Sequence, residues 1–142
     1  GCCRMTKLEL CNIQAAGMTD EDDDEDSDYE RAVKAENELE DSLSCLLRLC
    51  PKITHLSISG SFQSYPHRLF QSIPAFLPSL QLLDLNCCVW MDDTILLTFV
   101  RAIGLEGRGC SSLALVDVSD CPNITDKGVN LANEIAYCML GL

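Results

Sequence analysis

The sequence predicts an α/β solenoid, about four strand–helix units whose parallel strands lie side by side over one core. Three observations carry that expectation. First, from Cys110 apolar residues follow at offsets of three, six and eight (Leu113, Val116, Val118), and the same offsets recur from three earlier starts. From Leu77 they give Leu80, Leu83 and Leu85; from Cys50, Ile53, Leu56 and Ile58; from Cys2, Met5, Leu8 and Leu10. Second, the last two apolar positions of each set alternate with polar ones, the period of a strand with one buried face. Third, each strand is followed by residues at helical spacing. The four starts are separated by 48, 27 and 33 residues, so the first interval carries a long insertion.

In chain order, the first strand runs out near Ile13, and residues 20–30 (DEDDDEDSDYE) intervene. A helix is expected from about Tyr29 to Leu49, with Leu39, Leu43, Leu46 and Leu47 on one side and Glu36, Glu38, Glu40 and Asp41 on the other. After the second strand, Ser64-Tyr65-Pro66 reads as a cap with proline in the first turn. Leu69, Phe70, Ile73 and Phe76 then follow at helical spacing, although Pro74 should end or distort that helix. After the third, Asp92 or Asp93 can cap a helix carrying Leu96, Phe99, Val100 and Ile103, which Gly104, Gly107 and Gly109 break. After the fourth, Asp126 is expected to cap a helix carrying Val129, Ala132, Ile135 and Ala136.

A chain of 142 residues supports one core, so residues 1–142 read as a single domain. The net charge of −12 is unevenly placed: nine carboxylates fall within residues 20–30, and the remainder is close to balance. Residues 18–30 cannot bury enough apolar surface to offset their ordering entropy and read as a disordered acidic insertion. No basic stripe is available for a phosphate backbone, which argues against nucleic-acid binding. No apolar run approaches the ~20 residues needed to span a bilayer, and the first residues lack a signal-peptide core, so an intracellular site is expected. The apolar last stretch, Tyr137–Leu142, sits badly on a solenoid end, which needs a polar cap; further chain or a partner is expected there.

The ten cysteines include no C-x-x-C pair, and two histidines complete no zinc spacing, so neither metal nor cofactor is expected. Several cysteines fall at repeat positions, and most read as small buried hydrophobes in a reducing compartment rather than as disulfides.

The residues Cys110, Leu113, Val116, Val118, Cys121, Ile124, Thr125, Asp126, Gly128 and Val129 carry a resemblance to the cysteine-containing leucine-rich repeat of F-box/LRR proteins, closest over C-P-N-I-T-D-K-G-V. The third unit has Met91 at the isoleucine position and Asp92 at the threonine position; the second has Ser61, and the first Ile13, in place of the cysteine. The resemblance implies a right-handed horseshoe with strands on the concave side and helices on the convex side. It also implies substrate recognition for an F-box-type, cullin-RING ubiquitin ligase, with the adaptor contacted by a segment outside this chain, since no F-box-like segment is found within it. The alternative is a free-standing leucine-rich-repeat scaffold that docks partners through its acidic loop without a ligase link.

Concave faces are where solenoids bind. The residues between the inward positions are Lys7, Glu9 and Cys11; His55, Ser57 and Ser59; Leu82, Asp84 and Asn86; Leu115, Asp117 and Ser119. Parallel pairing places Leu82 beside Leu115 and Asp84 beside Asp117. That apolar row next to an acidic row suits a protein partner with an aliphatic or aromatic anchor flanked by Lys or Arg. The alternative is an ordinary exposed strand surface, or one covered by a terminal segment. Contact roles are assigned to Glu9, His55, Ser57, Leu82, Asp84, Asn86, Leu115, Asp117 and Ser119. Ser27, followed by Asp28 and Glu30, fits an acid-directed phosphorylation site. The pair Asp92-Asp93 is better explained by helix capping than by metal or acid/base chemistry. Neither Cys87 nor the histidines have a partner at a catalytic spacing, so an enzyme is not expected.

Overall fold

A computed structural model describes residues 3–13, 25–105 and 110–140, with side chains described for 3–13, 29–103 and 110–136. The chain alternates β1 (Lys7–Glu9), α1 (Glu25–Leu49), β2 (His55–Ser57), α2 (His67–Phe76), β3 (Leu82–Asp84), α3 (Asp93–Leu105), β4 (Leu115–Asp117) and α4 (Asp126–Leu140). The strands form one parallel sheet in the order β1-β2-β3-β4. Lys7, His55, Leu82 and Leu115 share one register position; Leu8, Leu56, Leu83 and Val116 share the next, and Glu9, Ser57, Asp84 and Asp117 the third.

The inward position of each strand meets the helices in one core. Ile53, Leu56 and Ile58 of the second unit, and Leu80, Leu83 and Leu85 of the third, are all at or below 1% exposed. Leu43 and Leu47 from α1, Leu69, Phe70 and Ile73 from α2, Leu96 and Phe99 from α3, and Ala132 from α4 close over them. Helix α2 packs on α1 and α4 on α3, while α2 meets α3 through the edge-on rings of Phe70 and Phe99, 5.0 Å apart.

The joins between units repeat atom for atom. Leu10, Ile58 and Leu85, each at offset eight, donate a backbone N–H to Ser57, Asp84 and Asp117 of the following strand. Asn12, Gly60 and Cys87, two residues on, donate to the carbonyls of Ser59, Asn86 and Ser119. These last residues, with Asp120 in the fourth unit, all sit at positive φ (55°, 64°, 59° and 56°). The left-handed conformation turns the chain from strand toward helix, and Asn, Gly and Asp tolerate it best. One residue later a side-chain donor reaches back. Ser61 Oγ donates to Leu10 O (2.8 Å), Cys88 Sγ to Ile58 O (3.5 Å) and Cys121 Sγ to Leu85 O (3.1 Å). Ser61 therefore does what the cysteines do, and the buried cysteines are donors as well as packing groups. The first unit has no unit before it among the described residues, and its Ile13 has no such hydrogen to give.

Four expectations need correction. Helix α1 begins at Glu25, so 25–30 of the expected disordered insertion are helical; 18–24 lie outside the described residues. Once the packed turn around Leu43 and Leu47 nucleates the helix, each added residue gains a hydrogen bond at low cost. Glu40, expected on the polar face, is 7% exposed. It accepts the Arg68 and Leu69 amides (2.5 and 3.0 Å) at the start of α2. Those contacts replace the cap expected from Ser64, because α2 begins after Pro66 with no side-chain cap of its own. Finally, Thr125 rather than Asp126 caps α4, its Oγ1 accepting the Gly128 amide (3.2 Å). Among the described residues no helix is long and apolar enough to cross a membrane.

Candidate functional site

The sheet face turned away from the helices carries three rows of side chains. The first is Lys7, His55, Leu82, Leu115, and the second Glu9, Ser57, Asp84, Asp117. The ladder continues into a third, Cys11, Ser59, Asn86, Ser119. Leu82 lies beside Leu115, and Asp84 beside Asp117. Leu115 is 53% exposed, a large aliphatic side chain left in water; Leu82 is half-buried.

The acidic row is ordered by its neighbours. Asp84 Oδ2 accepts the Ser57 hydroxyl (2.9 Å), and its Oδ1 accepts the Asn86 amide (2.9 Å). Asp117 Oδ1 accepts both the Ser119 hydroxyl (2.5 Å) and the Ser119 amide (2.9 Å). Those two bonds, the hydroxyl's the stronger, hold the Asp117 carboxyl below its ordinary value and keep it charged. A carboxylate has acceptor sites for about four hydrogen bonds, so both aspartates keep capacity for donors from outside. At the other end Lys7 pairs with Glu9 (2.8 Å), which neutralises that edge. Negative charge on this face therefore concentrates at Asp84 and Asp117, next to exposed leucine.

Of the sequence-assigned contacts, Ser57 is covered: it is 6% exposed and acts by holding Asp84. Ser59 Oγ donates to Asn86 O (3.0 Å), fixing the third row. His55 Nδ1 lies 2.8 Å from the Thr54 hydroxyl, which also reaches Thr6 O (3.1 Å), so the ring is held at the strand's start. Ser27 falls within α1, and its side chain lies outside the described residues. Two participants were missed from sequence: Thr54, whose hydroxyl is hydrogen-bonded to His55 Nδ1, and Asp120, exposed beside the third row at the recurring left-handed position. The run Asn12, Gly60, Asp120 at one offset was the available signal for the latter.

The other acidic and thiol groups have structural partners. Asp92 Oδ1 caps α3 through the Ile95 amide (2.8 Å). Asp93 reaches the next unit, accepting the Thr125 amide (2.9 Å) and hydroxyl (2.6 Å); these bonds, the hydroxyl's first, hold its carboxyl below the ordinary value. All eight described cysteines are free thiols. Burial pushes Cys88 and Cys110 up to about 11, so neither is a nucleophile near neutrality. Cys87 is exposed, its thiol donating to Asn86 Oδ1 (2.9 Å). Among the described residues no group of three His, Cys, Asp or Glu side chains converges as a metal site. Compared with protein-family models and with curated proteins, the chain matches none of either.

Proposed function

We propose that the chain is a leucine-rich-repeat solenoid serving as a non-enzymatic, intracellular protein-interaction module, and that it recognises substrates for an F-box-type ubiquitin ligase through its outward strand face. The observation that carries the binding reading is Leu115, exposed to 53%, with Leu82 at its side and the ordered carboxylates of Asp84 and Asp117 in the adjacent row. Covering such a leucine is worth about 1.5 kcal/mol. A lysine or arginine held by a partly desolvated carboxylate adds roughly 1.5–3 kcal/mol per hydrogen bond. A segment with an aliphatic or aromatic anchor flanked by basic residues collects both contributions. The ligase link rests on the resemblance of C-P-N-I-T-D-K-G-V (residues 121–129) to the F-box/LRR repeat.

Affinity capture from source-cell extract with the proteasome blocked tests both parts. Wild type is compared with Asp84→Lys/Asp117→Lys and with Leu115→Asp. Cullin-ligase adaptors on wild type support the ligase link. Proteins lost on either variant are the face's partners. Partners without adaptors leave the interaction module standing as a free scaffold, and an unchanged set on all three proteins removes the strand face from the account.

A further inference from the structure

The two ends of the stack are not equivalent to its middle. The aliphatic residues of the second and third units are sealed, but Leu113, Val116 and Val118 of the fourth are only partly buried. Beside them an apolar cavity of about 220 Å³ opens between β4, α3 and α4, with Val129, Ala132 and Ala136 on its helical wall. The same edge holds unused hydrogen-bonding groups. Val118 N and Asp120 N are the counterparts of the donors that join every earlier unit to the next, and Ala114 O is the counterpart of Thr6 O, Thr54 O and Gln81 O, which each accept from the following strand. None of the three has a partner among the described residues.

What covers such an edge is written three times within the molecule. In each case it is a strand–helix unit lying parallel, with aliphatic residues at offsets three, six and eight. In each case its Ser or Cys at offset eleven donates to the offset-eight carbonyl of the unit before. We infer that the β4 edge docks a fifth strand–helix unit of this kind, whose hydroxyl or thiol donates to Val118 O while its backbone carbonyls take up Val118 N and Asp120 N. A second copy of this chain is the wrong occupant. Its leading unit has Ile13 where the donor belongs, and its β1 would set Glu9 beside Asp117, a like-charge pair across adjacent strands. This docking edge is separate from the proposed strand face and stands or falls without it.

The test appends a duplicate of residues 77–109 after the full chain and follows backbone amide exchange by NMR. A docked unit slows exchange at Val118 and Asp120 by at least about tenfold. Replacing the appended unit's hook cysteine, the copy of Cys88, with isoleucine abolishes most of that protection, whereas serine keeps it. With the tryptophan of the appended copy replaced by phenylalanine, Trp90 fluorescence reports that the original four units stay folded. Exchange at Val118 and Asp120 that is no slower than in the parent chain overturns the inference, as does protection that survives the isoleucine hook. Concentration-dependent protection of the same amides in the parent chain makes a second copy the occupant and also overturns it.

Discussion

Removing the Glu40 carboxylate should be among the most damaging single changes to the helical layer. The side chain is 9% exposed and faces Arg68 Nη2 at 3.8 Å, and Oε1 receives the Arg68 and Leu69 amides at 2.5 and 3.0 Å. Leu69 is 1% exposed, so water cannot readily replace the acceptor its N–H loses. In Glu40→Ala an unsatisfied buried donor costs about 1–3 kcal/mol. Loss of negative charge at the start of α2 adds roughly 0.5–1 kcal/mol. The Arg68 amide recovers water, and Arg68 keeps Asp41 at 2.6 Å, so neither adds much. The expected total is about 2–4 kcal/mol, or roughly 5–15 °C in Tm for a chain of this size. Glu40→Gln keeps a carbonyl oxygen of the same reach and loses only the charge, so it should cost about 1 kcal/mol. Urea unfolding followed by Trp90 gives the measurement, since it is the one tryptophan of the chain and is buried with its Nε1 bonded to Ser61 O. An alanine variant within ~0.5 kcal/mol of wild type, or a glutamine variant as weak as alanine, would refute the capping argument.

Four other outcomes are expected. Ser61→Cys should be near neutral and Ser61→Ala should cost about 1–2 kcal/mol, by the same urea assay, because the hook to Leu10 O needs only a donor. Gly128→Ala should cost about 1–3 kcal/mol, since its Cβ would lie 2.1 Å from Asp93 Oδ1, an oxygen held in place by Thr125; Asp93→Ala in the same chain should recover part of the loss. Iodoacetamide at pH 7.5 should modify the exposed Cys11, Cys45 and Cys87 in the native protein and reach Cys50, Cys88, Cys110 and Cys121 only after unfolding, as read by mass spectrometry. The buried thiols also predict an alkaline limb. With Cys88 and Cys110 raised from 9.0 to about 11 in the folded state, their contribution is intact below pH 9 and falls as pH climbs from 9 through 11. Stability flat across that range would contradict it.

The core was legible because a strand with one sealed face repeats its aliphatic positions at fixed offsets. Ile53, Leu56, Leu80 and Leu83 could be named as buried, and the pairing of Asp84 with Asp117 followed from the same alignment. What escaped depends on atoms far apart in sequence. Glu40 lies on the same helical stripe as Leu43 and Leu47, three and seven residues on, but a charge on that stripe makes sense only once the uncapped start of α2, 28 residues away, is brought against it. The covering of Ser57 depended on how Asp84 orients from the neighbouring strand. The serine and cysteine hooks could not be recognised as one device without seeing that all three point at the same carbonyl. On the candidate face, position could be read from spacing, whereas the ordering of Asp117 by Ser119 and the contact of Thr54 with His55 come from hydrogen bonds that spacing does not encode.

The most direct test of the account is the affinity of the partner recovered on the wild-type protein, measured by calorimetry against wild type and against Asp84→Lys/Asp117→Lys, with Trp90 fluorescence confirming an unchanged fold. Charge reversal at two ordered carboxylates should remove roughly 3 kcal/mol or more, a loss of at least about 100-fold in Kd. A double variant that binds within about twofold of wild type would contradict the claim that this face does the binding.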